Sequence, residues 1–360
     1  RCHSPLLYYA KNSWFIRMGK LKKKLIDNNK KINWVPAHIK NGRFGGWLNE
    51  VKDWAFSRER YWGTPLPVWQ CRKCKNERII GSLEELDRFS FSVLKKGKHN
   101  WPYNNEGELD LHRPFVDNLI LKCPKCSGKM KRVLEVIDVW FDSGAMPFAQ
   151  YHWPFEKKLE YPAFFISEAV DQTRGWFYTL HAVGALMDKG PAFKNVICLG
   201  HILDEKGEKM SKSKGNVVDP WAVIDKYGVD ALRWYFFTVN PPGEPKRFVV
   251  RDVEEQLKRF ILTLSNVLIF YKTYSSTMKS DLKNPRNWGS NGLLDRWILS
   301  RLNQTIKVTR INLDKYEITQ AARPIDEFVN DLSRWWLRRS RRRFSGEEVE
   351  IASSVLREIL

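Results

Sequence analysis

No run of apolar residues in this sequence approaches the roughly 20 needed to cross a bilayer, and its N-terminal residues lack the apolar core of a signal peptide. No internal repeat or low-complexity tract stands out. The first residue is Arg1 rather than methionine, and Leu360 falls within a helical pattern, so the sequence reads as an internal piece of a longer protein. Acid is the scarce charge: 41 Asp+Glu stand against 61 Lys+Arg, giving a net charge of +20 and a pI near 9.6. These absences argue against a membrane span within these residues. With 43% hydrophobic and 13% aromatic residues, a wholly disordered chain is excluded too. What remains is a chain of 360 residues, long enough for two or three cored domains. Its positive surplus favours a polyanion such as RNA or DNA, through counterion release and steering. A basic compositional bias, visible in Lys22-Lys23-Lys24 and Lys30-Lys31, would look the same.

A concentration of charge lies in "GHILDEKGEKMSKSKGNVVDP", residues 200–220, where Lys206, Lys209, Lys212 and Lys214 surround Ser211 and Ser213. Val196 to Leu199 reads as a short buried strand, Asp204 to Gly207 as a turn, and Asp219-Pro220 as a helix cap followed by its first residue. The lysines therefore fall on a mobile connection. Either they only solubilise it, or, with the serines, Gly215 and Asn216, they close on an anion.

Elsewhere the pattern divides the chain. Residues 1–67 are rich in tryptophan and turns and lead into a strand at 66–70. Residues 68–135 form a polar insert bounded by cysteine pairs. Residues 136 to about 204 alternate strands (136–141, 164–166, 196–199) with a helix at about 171–186, which predicts a parallel α/β sheet. Residues 205–250 carry the lysine loop. From 251 onward the spacing is helical, with Val253, Leu257, Phe260, Ile261, Leu264, Val267, Leu268 and Tyr271 on one face. Ile325, Phe328, Val329, Leu332 and Trp335 trace a second apolar stripe in what should be a helical bundle.

Cysteines are few, six in all, and four form the pairs Cys71-Arg-Lys-Cys74 and Cys123-Pro-Lys-Cys126. Two such knuckles suit a tetrahedral zinc site with four thiolates. Disulfides would need an oxidising compartment, and a redox pair would not account for two knuckles. Cys198 reads as a core residue, while Cys2 could be half of a further knuckle.

Two further stretches carry site chemistry. In "FFISEAVDQTRGWF" (164–177), Glu168 falls at a strand end, where a carboxylate can hold an ammonium group. Asp171 is placed to cap the following helix, with Gln172 and Trp176 one turn apart. Trp140 in "DVWFDSG" (138–144) and Trp176 either line a pocket or fill a core. In "SRWWLRRSRRRFSGEE", a helical backbone would put Arg334, Arg338, Arg341 and Arg342 on one face, suited to RNA phosphates and stacked bases or simply to water.

Taken together, these strings resemble the class I aminoacyl-tRNA synthetases. "KMSKS" (209–213) looks like their second signature. "SRERYWGTPLPVW", "DVWFDSG" and "DQTRGWF" resemble the isoleucyl branch in its archaeal and eukaryotic form with a four-cysteine insert. The resemblance runs along essentially the whole chain. It implies the second half of a Rossmann-like catalytic domain with a zinc-knuckle insert, then a helical-bundle anticodon-binding domain. The implied reaction is ATP-dependent activation of L-isoleucine and its transfer to tRNA(Ile), with Mg2+ accompanying ATP. Glu168, Asp171 and Gln172 would bind the amino acid and its adenylate, Trp140 and Trp176 would enclose the aliphatic side chain, and Lys209, Ser211, Lys212 and Ser213 would bind ATP. A structural zinc would sit on Cys71, Cys74, Cys123 and Cys126, and the enzyme would be a cytoplasmic monomer. Ala169 departs from the glycine usual in the family. The first signature, His-Ile-Gly-His or a variant, is absent, and "RCHSPLLYY" looks like the exit from an editing domain, so this stretch alone is expected to be inactive. The valyl branch is the nearest alternative, and a non-catalytic zinc and RNA-binding module is the alternative of another class.

Overall fold

The computed structural model describes residues 5, 7, 9–91, 101–156, 158–275 and 292–360. The chain forms two compact units, one made of residues 1–32, 39–165 and 171–194, the other of residues 33–38, 166–170 and 195–360. The expectation for Cys2 concerns a residue outside those described.

The first unit holds two substructures. One is a four-stranded antiparallel sheet, in the order Glu77–Ile79, Val68–Cys71, Lys129–Arg132, Leu121–Lys122. Its core is Trp69, Ile80, Leu86, Val116, Leu121 and Met130 with two of the cysteines, and Trp69 Nε1 donates to the Leu119 carbonyl at 3.0 Å. The other is helical. Helices Val139–Ala149 and Trp176–Leu186 pack so closely that a Cβ on Gly144 would lie 2.7 Å from the Thr179 carbonyl oxygen, so only glycine fits there.

Helix Trp176–Leu186 is buried on every side from Phe177 to Ala185, the mark of a core helix rather than an amphipathic one. His181 lies in it, fully buried, with Phe44 edge-on at 5.5 Å. Its Nε2 donates to the Leu25 carbonyl at 2.8 Å, and its Nδ1 has no partner among the described residues. Burial pushes this imidazole down to about 4, against a smaller opposing pull from the Leu25 carbonyl.

Two expectations for this unit need correction. The strand at 136–141 stops at Ile137, because Asp138 takes the Trp140 N–H at 2.7 Å on its side chain and starts a helix at Val139. The helix expected at 171–186 begins only at Trp176, after a 3₁₀ turn over Val170–Arg174. Asp171 does not cap it; Gln172 Oε1 accepts the Trp176 N–H instead, at 2.9 Å.

In the second unit, residues 195–197 of strand Phe193–Leu199 run parallel to Asn33–Val35, with Val196 opposite Trp34, and residues 166–169 of strand Ala163–Ala169 lie on the other side. Ser167 Oγ donates to the Ile197 carbonyl at 3.1 Å. Cys198 is buried, as expected. Beyond the lysine loop the unit is helical, through Pro220–Tyr227, Val229–Thr238, Leu262–Ser275, Leu293–Asp314, Ile318–Asn330 and Val349–Ile359. The core of the last four gathers Val267, Ile298, Phe328, Leu332, Trp336, Phe344 and Val355.

The second apolar stripe departs from its expected register. Trp335 is 48% exposed and Trp336 is buried, because Asp331–Leu337 is a π-helical segment whose extra residue rotates the following side chains. A buried polar knot fixes that rotation: Trp336 Nε1 donates to Asp295 Oδ1 at 2.9 Å, and Arg343 grips the same carboxylate at 2.8 and 2.7 Å.

His181 makes the first unit acid-sensitive. Unfolded, its pKa returns to about 6.5, so the unfolded chain binds the extra proton between that value and about 4. The stability from keeping it neutral is complete above about pH 6.5 and declines as pH falls toward 4, by at most about 1.4 kcal/mol per pH unit. In urea unfolding at pH 7.0 and 4.5, His181→Gln should lose less stability on acidification than the parent. Equal losses would remove the assignment.

Candidate functional site

The two cysteine knuckles are built alike. Cys71 N donates to the Asn76 carbonyl and Lys75 N to Cys71; Cys123 N donates to Gly128 and Ser127 N to Cys123, all at 2.8 to 3.1 Å. Lys75 and Ser127, each following the second cysteine of its pair, both adopt left-handed backbone, at φ 59° and 56°. The turns bring all four sulfurs within 4.8 Å of one another, with Cys71–Cys126 at 3.5 Å, Cys74–Cys123 at 3.6 Å and Cys74–Cys126 at 3.4 Å. Four thiolates bound to one zinc at about 2.3 Å would stand about 3.8 Å apart, so the donor set fits a tetrahedral ion. The backbone N–H of Cys74 outweighs the cost of burial at Cys71 and, helped by that of Lys73, brings its thiol down to about 6. Such a thiol is ready to act as a thiolate ligand.

Trp140, Gln172 and Trp176 come together in the first unit. A Cβ on Gly175 would lie 2.6 Å from Gln172 Oε1 and 3.3 Å from the Trp140 ring, so the amide and the indole both close on the space a side chain there would need. Trp140 is 44% exposed and Trp176 half-buried, so neither simply fills a core. Asp171 is exposed and accepts from Gln172 Nε2 at 3.1 Å. Glu168 belongs to the second unit, exposed one residue before the end of strand Ala163–Ala169.

The lysine loop leaves strand Ile202–Leu203, which pairs parallel with Lys246–Arg247. It is a tied structure. Asp204 Oδ1 accepts from the backbone of Lys206 and Glu208 at 3.0 and 2.8 Å, and its Oδ2 accepts from Asn216 Nδ2 at 2.8 Å. The Asn216 amide, with the Glu208 and Lys206 N–H groups, holds the Asp204 carboxyl below its ordinary range. Asn216 Oδ1 in turn receives the Ser211 N–H at 2.9 Å, and Met210 packs beside Val218 against a core that includes Val223 and Tyr235. Lys209 is exposed, Ser211 and Ser213 share a hydrogen bond at 3.2 Å, and Lys212 begins a 3₁₀ turn over Lys212–Lys214. Lys214 is not bare charge, since it pairs with Glu208 at 3.1 Å. As expected, Asp219 caps the next helix by accepting the Trp221 N–H at 3.0 Å.

The arginine run does not lie on one regular helix. Its backbone passes from the π segment through Arg338–Ser340 to a 3₁₀ turn over Arg341–Ser345, so the spacing that put Arg334, Arg338, Arg341 and Arg342 on one α-helical face does not apply. All four are nevertheless exposed. Arg343 is spent on the Asp295 knot, and Arg339 lies over the exposed Trp335 ring at 3.8 Å.

Comparison with known proteins decides the family. The description "tRNA synthetases class I (I, L, M and V)" matches residues 5–246, and "Anticodon-binding domain of tRNA ligase" matches 295–360. The chain belongs to the class I tRNA synthetases. It is 53% identical to the isoleucine–tRNA ligase of Dehalococcoides mccartyi (strain ATCC BAA-2266 / KCTC 15142 / 195) over 351 residues, 96% of this chain and 34% of that one. The Thermus thermophilus isoleucine–tRNA ligase is 50% identical over 349 residues, again 96% of this chain and 32% of the relative. The chain thus spans about a third of the length of the curated relatives it matches. Among solved structures, Mycobacterium tuberculosis methionyl-tRNA synthetase with methionyl-adenylate matches 99% of this chain and 59% of its own at TM-score 0.64 and 16% identity. The Agrobacterium radiobacter K84 LeuRS–tRNA–LeuAMS complex matches 89% and 41% at TM-score 0.61 and 19% identity. These two show a shared fold. No helix among the described residues of this class I synthetase chain is long and apolar enough to cross a membrane.

Sequence reasoning passed over Asp138, the buried carboxylate that orients Trp140, and Arg58, its ion-pair partner. The signal was present as an aspartate two residues before a tryptophan at a strand end, but the apolar run around it hid the helix start. Gly175→Ala should push the Gln172 amide off the Trp176 N–H and destabilise the first unit by about 1–3 kcal/mol. Unchanged urea unfolding would show that the two side chains yield without cost.

Proposed function

We propose that the full-length protein is an isoleucine–tRNA ligase, which joins isoleucine and ATP into isoleucyl-adenylate and then transfers the amino acid to tRNA(Ile). The observation that carries this reading is about 50% identity to isoleucine–tRNA ligases along nearly the whole chain. The side chains agree with it. Enzymes of this class use ATP, and the first step is attack of the substrate carboxylate on the α-phosphate. Positioning and charge neutralisation therefore carry most of the rate. In this reading Glu168 holds the ammonium group, with Asp171 and Gln172 beside the adenylate, and Trp140 and Trp176 wall the aliphatic side chain. Lys209 and Lys212, with Ser211 and Ser213, bind the triphosphate, which enters with Mg2+. The tie between Asp204, Asn216 and Ser211 would bring the loop to the phosphates already shaped, at lower entropic cost.

The same reading assigns residues 1–67 to the return from an insertion, 68–135 to a zinc insert, 136–204 to the second half of the nucleotide fold, 205–250 to the lysine loop and stem contacts, and 251–360 to anticodon binding. Arg334, Arg338, Arg341 and Arg342 would meet tRNA phosphates. Zinc on Cys71, Cys74, Cys123 and Cys126 would be structural, cross-linking the two knuckles. The enzyme would work as a cytoplasmic monomer.

Isoleucine-dependent ATP–pyrophosphate exchange in the full-length protein, stronger than with valine, is the direct test; a preference for valine would move the protein to the valyl branch. Lys212→Ala should slow pre-steady-state adenylate formation about a hundredfold and change isoleucine affinity little, by loss of charge stabilisation in the transition state. An unaltered rate would take Lys212 out of the reaction. For the metal, elemental analysis of the full-length protein should find zinc, with one equivalent per chain lost in Cys126→Ser along with protease resistance around the two knuckles. A parent protein that purifies without metal would refute the zinc assignment.

A further inference from the structure

The four-stranded sheet of the first unit has two unlike faces. Trp69, Cys71, Leu121 and Met130 belong to its core, so strand alternation turns Gln70, Lys122, Lys129 and Lys131 the other way. Register then sets cations abreast. Lys122 lies directly opposite Lys129, and Arg72, whose N–H donates to the Lys129 carbonyl at 3.2 Å, flanks Lys129 on its other side. Lys131 follows two residues along the same strand, opposite Gln70. All four cations are exposed, and none has an ion-pair partner among the described residues. Glu77, opposite Gln70 on the next strand, accepts from the Gln70 amide at 3.1 Å instead of from a lysine. Asp117 is committed to Arg113 and Arg132.

Such a row opposes folding, because like charges directly opposite on an antiparallel pair repel. Neighbouring strands stand about 4.8 Å apart and alternate residues of one strand about 6.6 Å. Both spacings fall inside the screening length of about 8 Å at physiological salt, so dissolved ions relieve the repulsion only in part. A zinc ion on four thiolates would carry a net charge of about −2 and draw on nearby cations. Lys73 and Lys125, exposed within the two knuckles, lie beside those sulfurs along the chain and can meet that demand, which leaves the sheet cations in surplus. The Lys129 ammonium lies 5.2 Å from the centre of the Phe91 ring, a contact that limits its swing without neutralising it. A ligand that answers all four at once carries several linked anions, one full charge per unit. An RNA backbone does so, and a face made of ammonium and guanidinium groups would hold it by its phosphates without reading its bases.

We propose that this outer sheet face, built on Arg72, Lys122, Lys129 and Lys131, is a docking surface for the phosphate backbone of RNA. The choice of tRNA as that RNA rests on the proposed function. The charge pattern stands apart from it.

The test uses the full-length protein and the double variants Lys129→Gln/Lys131→Gln and Lys129→Arg/Lys131→Arg, with fluorescence anisotropy of labelled tRNA(Ile) and of an RNA duplex of unrelated sequence across a salt series. The glutamine pair should weaken binding of both RNAs about tenfold at low salt. It should also make the slope of log affinity against log salt shallower by about two. The arginine pair should restore both quantities, and zinc content and isoleucine-dependent pyrophosphate exchange, which needs no tRNA, should match the parent in every variant. Affinity and slope unchanged in the glutamine pair would overturn the proposal. So would a loss of affinity that leaves the slope alone or that arginine does not rescue, since that marks damage to the sheet. Polyglutamate bound as tightly as RNA, and released by the glutamine pair, would assign the face to an acidic protein instead. Absence of isoleucine-dependent exchange in the parent would overturn the function, while the unrelated duplex still judges the face.

Discussion

The carboxylate of Asp138 is the point on which the architecture around Trp140 turns. It is 2% exposed, and a buried carboxylate is tolerable only if every oxygen is answered. One oxygen takes the Trp140 N–H and the other the Arg58 guanidinium, while the Asp138 N–H donates to Phe56 at 2.7 Å. Those bonds end the antiparallel pairing of Ser57–Arg58 with Val136–Ile137 and set the first turn of helix Val139–Ala149 in a single orientation. The Trp140 ring and the face it turns to Gly175 both follow from that turn. Removing the carboxylate would leave Arg58 uncompensated as well as the helix uncapped.

The same economy recurs in the second unit. Asp204 and Asn216 satisfy between them three backbone N–H groups of a loop crowded with lysines. Local side-chain acceptors of this kind let a segment with almost no core hold one shape under its own charge repulsion. Met210 adds the one apolar anchor within the five-residue signature. In the helical bundle Asp295 plays the corresponding part, holding Trp336 and Arg343 together, while Arg334, Arg338, Arg341 and Arg342 are exposed.

Much of this was legible without coordinates because it depends on chemistry local to a few residues. The paired cysteines, the Asp219 cap, the strand at 196–199 with its buried Val196, Ile197 and Cys198, and the helical character from 251 onward all rest on spacings of two to four residues. Gln172 and Trp176, one turn apart in sequence, are indeed joined, though by the amide of Gln172 capping the helix that Asp171 was expected to cap. The departures have specific causes as well. A π segment cannot be read from a 3.6-residue period, so Trp335 and Trp336 exchanged roles, and the α-helical spacing used for the four arginines does not apply to their backbone.

The sequence by itself determined the residue types, the order of the motifs and, through them, the class of enzyme, since each signature is contiguous and its chemistry is carried by neighbours along the chain. Tertiary structure alone decided which side chains meet. That Cys71 faces Cys126 while Cys74 lies near both Cys123 and Cys126, that Gln172 and Trp140 both close on Gly175, and that Trp62 stacks on His112, fifty residues away, depend on long-range packing. Periodicity reports only which way a residue faces on its own element. The partner it finds there is set by how separate elements pack, and no local spacing encodes that.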